Sequence, residues 1–369
     1  MNQKMRKVET LYIIHEYGDR GHYLAAIEAL NVPNVKYLEF STLKLIFRGL
    51  KKKNGKFVLK AILDFIKLTF FFIFPQNLSD KLIIVGMAPL DWRVVFLNRI
   101  LKRSKNIYHT SWHSWSDNNF PYKTNSNYIK KQWNLFLHKT VFKIAAVTDK
   151  VSEQLHEHMG IDEEKITVVY HSYNWDIFNN ESLEINCDNK INVLYLGRLV
   201  EEKGISDIIQ LANDIKDVSF NIIGDGYLRE LVVTAARKNE NLIYHGHLSN
   251  RHEVSKLCKR SDIIILPSKK TDSWEELFGM AMIEAMASGC VPITTDHIGP
   301  RIIIGDDEVF KKNIFAENNF LNGFNNKIKA YEAQRDLLFL DKKRAIQLSK
   351  KFTVEAIAER WKAIFEKMV

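Results

Sequence analysis

Ile263-Ile264-Ile265-Leu266-Pro267-Ser268 is followed by Glu276-Leu277-Phe278-Gly279-Met280-Ala281-Met282-Ile283-Glu284-Ala285-Met286-Ala287-Ser288-Gly289, and then by Val291-Pro292-Ile293-Thr294. The order reads as a strand, a polar loop, an apolar helix and a second strand. That is the repeating unit of a doubly wound α/β chain. Phe278-Gly279 marks the turn into the helix. A helix N-terminus offers unpaired N–H groups and the positive end of the helix dipole, which suits a phosphate. Glu276, just before the helix, can accept hydrogen bonds from hydroxyls of a group attached to that phosphate. Glu284 lies eight residues on, a little over two turns deeper, where it can reach a second hydroxylated unit. Two carboxylates flanking a phosphate site suggest a nucleotide-sugar.

The same alternation runs outward in both directions. In the first half the strand candidates are Thr10–Ile14, Leu82–Val85, Ile107–His109, Ile144–Val147 and Thr167–Tyr170. In the second half they are Asn192–Leu196, Phe220–Ile223, Leu242–Tyr244, Ile263–Leu266 and Val291–Thr294. Several of the later strands stop at Gly197, Gly224 or Pro267, where loops at the carboxyl ends of parallel strands carry ligand contacts. A chain of 369 residues is long enough for two domains. The polar stretch from Asn179 to Lys190 reads as the linker between residues 1–180 and residues 190–350. The last helix, Val354 to Lys367, carries Ile357, Trp361, Ile364 and Phe365 on one face and must dock.

Apolar residues at 46% and charged residues at 26% place the chain among folded globular proteins. Cys187, Cys258 and Cys290 have no paired spacing. They argue against a disulfide framework or a zinc site and fit a reducing cytoplasm. The N-terminus is polar and basic and runs directly into Leu11-Tyr12-Ile13-Ile14, without a signal-peptide pattern. The net charge of +9 is uneven. Residues 1–180 hold 26 basic and 16 acidic side chains, and the remainder is nearly balanced. A basic first half suits anionic lipid, an acidic acceptor or nucleic acid, but no nucleic-acid recognition motif accompanies it. The segment from Lys51-Lys52-Lys53 to Phe74 begins basic and ends very apolar. Lys60, Asp64 and Lys67 interrupt it, so it does not read as a transmembrane helix. It reads as an interfacial amphipathic helix beside a polybasic cluster, or as a core helix with a solvated charged end, and the two are compatible.

Three further stretches follow strands. Gly197-Arg198-Leu199-Val200-Glu201-Glu202-Lys203-Gly204 sets two cations at the mouth of the sheet, as a diphosphate site or as a turn with solvated charges. Ile222-Ile223-Gly224-Asp225-Gly226 is a tight turn that a ligand can also use. Gly18-Asp19-Arg20-Gly21-His22 follows the first strand without the G-x-G-x-x-G spacing, so NAD is not supported. His109-Thr110-Ser111-Trp112-His113-Ser114-Trp115 ends another strand with two histidines that can act as a base or hold a substrate hydroxyl.

Taken together, Val147-Thr148, Lys165 to Val169, Gly197-Arg198-Leu199 with Lys203-Gly204, Gly224-Asp225-Gly226 and Glu276…Glu284 resemble the glycosyltransferases of family 4, also called glycosyl transferases group 1. The likeness is best over residues 140–300. It implies the GT-B fold: α/β, two Rossmann-like doubly wound domains facing across a cleft, with the C-terminal helix (354–369) crossing back to the N-terminal domain. The C-terminal domain would bind the nucleotide-sugar and the N-terminal domain the acceptor. By the same likeness Arg198 and Lys203 hold the donor diphosphate, Glu276 contacts the donor sugar beside the backbone of Phe278 and Gly279, and Glu284 binds the ribose. Gly18 and Gly21 approach the donor phosphate, Gly197 and Gly224 line the donor site, and His113 stands at the reaction centre, with His109 second. No cofactor or metal is implied, and no Asp-x-Asp pair is present. The family retains anomeric configuration, with attack by the acceptor hydroxyl on the face the diphosphate leaves.

Three departures touch the acceptor side and base recognition: His171-Ser172 in place of Asn-Gly, the spread glycines Gly18 and Gly21, and Gly299-Pro300-Arg301-Ile302-Ile303 without a glutamate. The expected protein is a cytoplasmic transferase, peripheral at the inner membrane face. It would act on a glycan precursor or lipid-linked acceptor in polysaccharide, lipopolysaccharide, capsule or glycolipid synthesis. A GT-B-fold nucleotide-sugar epimerase and a non-catalytic GT-B-like partner subunit are the rival readings.

Overall fold

The computed structural model describes residues 9–16, 20–79, 81–112, 114–115, 124–179, 183, 190–272 and 274–368. Gly18, His113, Cys187 and most of the linker stretch lie outside the described residues. The chain forms two compact units, Met1–His171 with Ile357–Val369, and Ser172–Ala356.

The first unit is built on six strands: β1 (Thr10–His15), β2 (Asn34–Glu39), β3 (Leu82–Gly86), β4 (Lys105–Thr110), β5 (Lys143–Ala146) and β6 (Ile166–Val168). They lie in the order β2-β1-β3-β4-β5-β6, and every pairing is parallel. Four helices of this unit bear on the site: α1 (Leu24–Leu30), α2 (Thr42–Lys51), α3 (Gly55–Ile73) and α4 (Val94–Leu101). The second unit repeats the plan with β7 (Ile191–Leu196), β8 (Val218–Ile223), β9 (Leu242–Tyr244), β10 (Ile263–Leu266), β11 (Val291–Thr295) and β12 (Ile314–Phe315). Its order is β12-β11-β10-β7-β8-β9, again all parallel. Central strands such as β3 and β10 are buried along their whole length. Continuous apolar runs are what a sheet covered on both faces requires. The doubly wound α/β expectation is met in both units.

Two strands go beyond the sequence reading. β2 is an edge strand in which only Leu38 is buried, so Asn34-Val35-Lys36-Tyr37-Leu38-Glu39 carries no apolar run. β12 is two residues long. The division between units also falls earlier than the polar stretch suggests. The short helix Trp175–Phe178 belongs to the second unit. Ser255 Oγ donates to the Ile177 carbonyl at 2.5 Å, and Ser288 Oγ to the Phe178 carbonyl at 2.8 Å. The final helix, Val354–Glu366, counts with the first unit from Ile357 onward. There Trp361 is buried, stacked on Phe365 at 5.7 Å and 5.9 Å from the His109 ring.

α3 has two characters. Its start is capped by the Asn54 side chain, which accepts from the Phe57 N–H at 3.1 Å. Ala61, Asp64, Leu68 and Phe71 recur at helical spacing and are buried. The opposite face is also apolar, and Leu59, Leu63, Ile66, Phe70 and Ile73 are exposed there. One face of the helix is thus packed into the core and the other is apolar and exposed. Among the described residues no helix is long and apolar enough to cross a membrane.

Candidate functional site

In the second unit the loops after β7, β8 and β10 are knitted together by backbone. Gly197 N–H donates to the Ile223 carbonyl at 3.0 Å, and Leu199 N–H to the Asp225 carbonyl at 2.9 Å. A Cβ on Gly224 would lie 1.8 Å from the Gly197 oxygen. Gly224 thus lets two loops touch, which is a packing role. The buried Tyr195 hydroxyl donates to the Arg198 carbonyl at 2.6 Å and fixes the loop from inside. Burial, then the Glu276 carboxylate, raises its pKa, so it remains a donor. The Arg198 side chain is exposed and has no ion-pair partner among the described residues. Gly204 has φ +67°, and a Cβ there would lie 1.9 Å from the Pro267 oxygen. That close approach seats the loop after β7 against the loop after β10 and delivers Lys203 to the glutamates.

Lys203 Nζ forms an ion pair with Glu276 Oε2. Ser268 Oγ reaches the same oxygen at 3.3 Å, and the Lys203 ammonium lies 4.9 Å from the Trp274 ring centroid. The Glu276 carbonyl accepts from Gly299 N–H at 2.9 Å, which anchors the backbone. Gly279 then caps the helix Met280–Ala287. Glu284, on that helix, is buried and pairs with Arg251, whose guanidinium stacks 5.0 Å from Phe178. The neighbouring Glu275 is also held, by Lys270 at 2.9 Å and by the Ile298 N–H at 3.3 Å. Both glutamates of the pair therefore already face a cation. Arg251 carried no signal in the sequence beyond opening a helix after Asn250, and it was missed. The structure brings Lys203 together with Glu276, while the Arg198 side chain is exposed and has no ion pair among the described residues.

In the first unit, histidines gather at the carboxyl edge of the sheet, where open α/β sheets bind ligands. His15 ends β1, His22 sits with Gly21 in the turn Arg20–Tyr23, and His109 lies near the end of β4. The His22 and His171 rings stack at 4.4 Å, His109 is 5.7 Å from His171, and Tyr23 is 5.4 Å from His109 and 5.2 Å from His15. Burial, reinforced by His22 and His15, holds the His109 pKa down to about 3. Burial likewise pushes His171 well below its usual value, with His22 and His109 adding to it. Both rings are neutral near pH 7, so they can exchange hydrogen bonds with hydroxyls without bringing charge. The sequence reading had His109 but not the cluster, because strand ends far apart in the chain assemble it. Among the described residues no group of His, Cys, Asp or Glu suits a metal ion.

Residues 179–350 match the family model of the glycosyl transferases group 1. The second half of the chain is a group 1 glycosyltransferase domain. The matched stretch includes Arg198, Lys203, Arg251, Glu276 and Glu284. The chain is 32% identical over 157 residues to an uncharacterized 41.2 kDa protein in the cps region of Klebsiella pneumoniae, covering 39% of this chain and 40% of that one. It is 24% identical over 262 residues to an alpha-galactosylglucosyldiacylglycerol synthase of Streptococcus pneumoniae, covering 65% and 63%. The chain thus matches less than two thirds of either relative's length. Among solved structures it superposes on Anabaena HepE in complex with UDP with a TM-score of 0.70 at 15% identity, over 97% of this chain and 100% of that one. At that identity the likeness is one of fold, and the fold is GT-B.

Proposed function

We propose that the protein is a retaining glycosyltransferase that moves a sugar from a nucleotide-sugar onto a lipid-linked acceptor or glycan precursor at the inner face of a membrane. The observation that carries this is Glu276 at the entrance of the Met280–Ala287 helix, held by Lys203 and Ser268. Lys203 and Glu276 satisfy each other. A diphosphate would draw Lys203 away and join Arg198 and the helix-end N–H groups. Glu276 would then be free to accept from hydroxyls of the sugar, and Glu284 from those of the ribose, in place of Arg251. The acceptor hydroxyl oxygen bonds to the anomeric carbon as the bond from that carbon to the diphosphate breaks. The hydroxyl proton leaves on the departing phosphate oxygen, whose developing charge the cations stabilise. On the acceptor side, the neutral ring of His109 is suited to holding a substrate hydroxyl.

The membrane part of the reading rests on α2 and α3. Over residues 42–73 the chain has eight basic side chains and one acidic, Asp64, which pairs with Lys60 at 3.0 Å. Lys51, Lys52, Lys53 and Lys56 surround the turn between two helices whose outer faces expose Phe47, Leu50, Leu59 and Leu63. Basic residues beside exposed apolar ones are the pattern of an interfacial helix on anionic lipid. The relative named as a diacylglycerol glycolipid synthase supports a lipid-linked acceptor.

A panel of nucleotide-sugars read by thermal unfolding tests the donor part. The right donor at 100 times its Kd should add ~2.7 kcal/mol of stability, and Glu276→Ala should abolish transfer. A panel in which no nucleotide-sugar raises the unfolding temperature would sink the reading. Conversion of the donor alone to a new sugar nucleotide would favour the epimerase. Liposome flotation with anionic lipid tests the membrane part, and an absence of salt-sensitive binding would remove it.

A further inference from the structure

A cavity of 560 Å³ lies in the first unit between α2, α3 and α4. That is within the ~300–1,000 Å³ of small-molecule sites. Phe65, Leu68 and Phe72 of α3 form one wall, and Trp92 and Phe96 form the other. Phe65, Trp92 and Phe96 are themselves exposed, so the apolar lining continues onto the outer surface of α3. The opposite end is polar. Arg93 bonds Ser41 Oγ at 2.7 Å and pairs with Glu16 at 2.5 Å and with Asp91. Ser41 Oγ in turn donates to Glu16 at 2.9 Å. One guanidinium ties two carboxylates and a hydroxyl together, so the polar end is a built network. Glu16 directly follows His15, the β1 member of the histidine cluster. The cavity therefore runs from an exposed apolar, basic surface to the carboxyl edge of the first sheet.

We infer that this cavity is a lipid-chain site, which takes one alkyl or isoprenoid chain of the acceptor and leaves the group to be glycosylated at the sheet edge. The inference rests on the lipid-linked acceptor reading and names the part of the acceptor that is recognised. The occupant is a chain rather than a protein segment for two reasons. The walls are apolar while the surrounding surface is cationic, which complements an anionic bilayer. The polar groups are gathered at one end, as an amphiphile's head and tail require.

The test uses the full chain and n-alkyl β-glucosides from hexyl to dodecyl, each below its micelle concentration. Affinity should rise about fourfold per added methylene until the cavity is full. Thr69, on the cavity wall, has an exposed side chain. Thr69→Trp should cost at least tenfold for the decyl compound and little for the hexyl. Leu59→Glu, on the outer face away from the cavity, should weaken vesicle binding and leave glucoside affinity unchanged. If Thr69→Trp does not fold, a decyl glucoside brominated at its chain end provides the second measurement. It should quench the fluorescence that Trp92→Phe removes. A flat chain-length series, unchanged decyl affinity in Thr69→Trp, or no quenching of Trp92 overturns the inference. So does capture of a protein on this face without any chain-length dependence. Chain binding without stabilisation by any nucleotide-sugar would uphold the cavity and remove the transferase reading. Donor stabilisation with a flat series would do the reverse.

Discussion

Removing Lys203 should destabilise the second unit by more than its surface position suggests. In the pair with Glu276 the two side chains are 16% and 11% exposed. Exposed ion pairs contribute ~0–1 kcal/mol, whereas breaking a fully buried pair costs ~3–5 kcal/mol because one charge is left stranded. Lys203→Met leaves the Glu276 carboxylate, among the described residues, with the Ser268 hydroxyl at 3.3 Å, so a cost of about 2–3 kcal/mol is expected. Glu276→Gln strands an ammonium that still faces Trp274 at 4.9 Å. That contact returns ~0.5–2 kcal/mol, so this change should cost less, about 1–2 kcal/mol. The double variant leaves neither charge alone. It should cost well under the sum of the two, with a coupling of about 2 kcal/mol. For a unit of this size each kcal/mol moves the midpoint by ~2–4 °C, so thermal unfolding of the donor-free protein resolves the cycle. Costs that add to within ~0.5 kcal/mol would refute the claim that the two groups neutralise each other.

The histidine cluster makes stability depend on pH. The His109 pKa is near 3 in the fold against 6.5 ordinarily, so as pH falls the unfolded chain takes up the proton first. Stability is intact above about pH 6.5, drains as pH falls toward 3, and is lower by ~2 kcal/mol for this histidine at pH 5. A urea midpoint that stays level from pH 7 to pH 5, or that His109→Asn leaves just as steep, would contradict this. Trp361→Ala should cost ~3–5 kcal/mol in the first unit, since the ring is buried against Phe365 and His109; near-normal denaturant stability would show that the final helix docks weakly. Gly204→Ala should cost about 2 kcal/mol or more, because its Cβ would drive into the Pro267 oxygen. It should also weaken donor-induced thermal stabilisation by moving Lys203, and an unchanged donor shift would refute that link.

Elements were legible where burial on both faces writes a continuous apolar run, as in β3, β10 and β11. β2 was not, because an edge strand with one buried residue has no such run. The placing of Glu276 before a helix and Glu284 on it could be read, because that geometry follows from local sequence. Arg251 could not, since its tie to Glu284 joins different helices. The histidine cluster was hidden for the same reason: His15, His22, His109 and His171 meet only once the sheet has formed. The network of Glu16, Ser41, Asp91 and Arg93 likewise spans three separate segments. Local chemistry is visible in a chain, and chemistry made by folding is not.

The first unit is completed by residues that follow the second unit in the chain. Ile357–Val369 belongs with Met1–His171, and the whole of Ser172–Ala356 is synthesised in between. The seat of Trp361 beside His109 thus stays empty while the second unit is made. Domains tend to mature in order of synthesis, but here the first to emerge is the last to be finished. Throughout that interval its unclosed apolar surface needs shielding. An immature chain is most exposed to chaperones, proteases and aggregation at the end where the acceptor would bind.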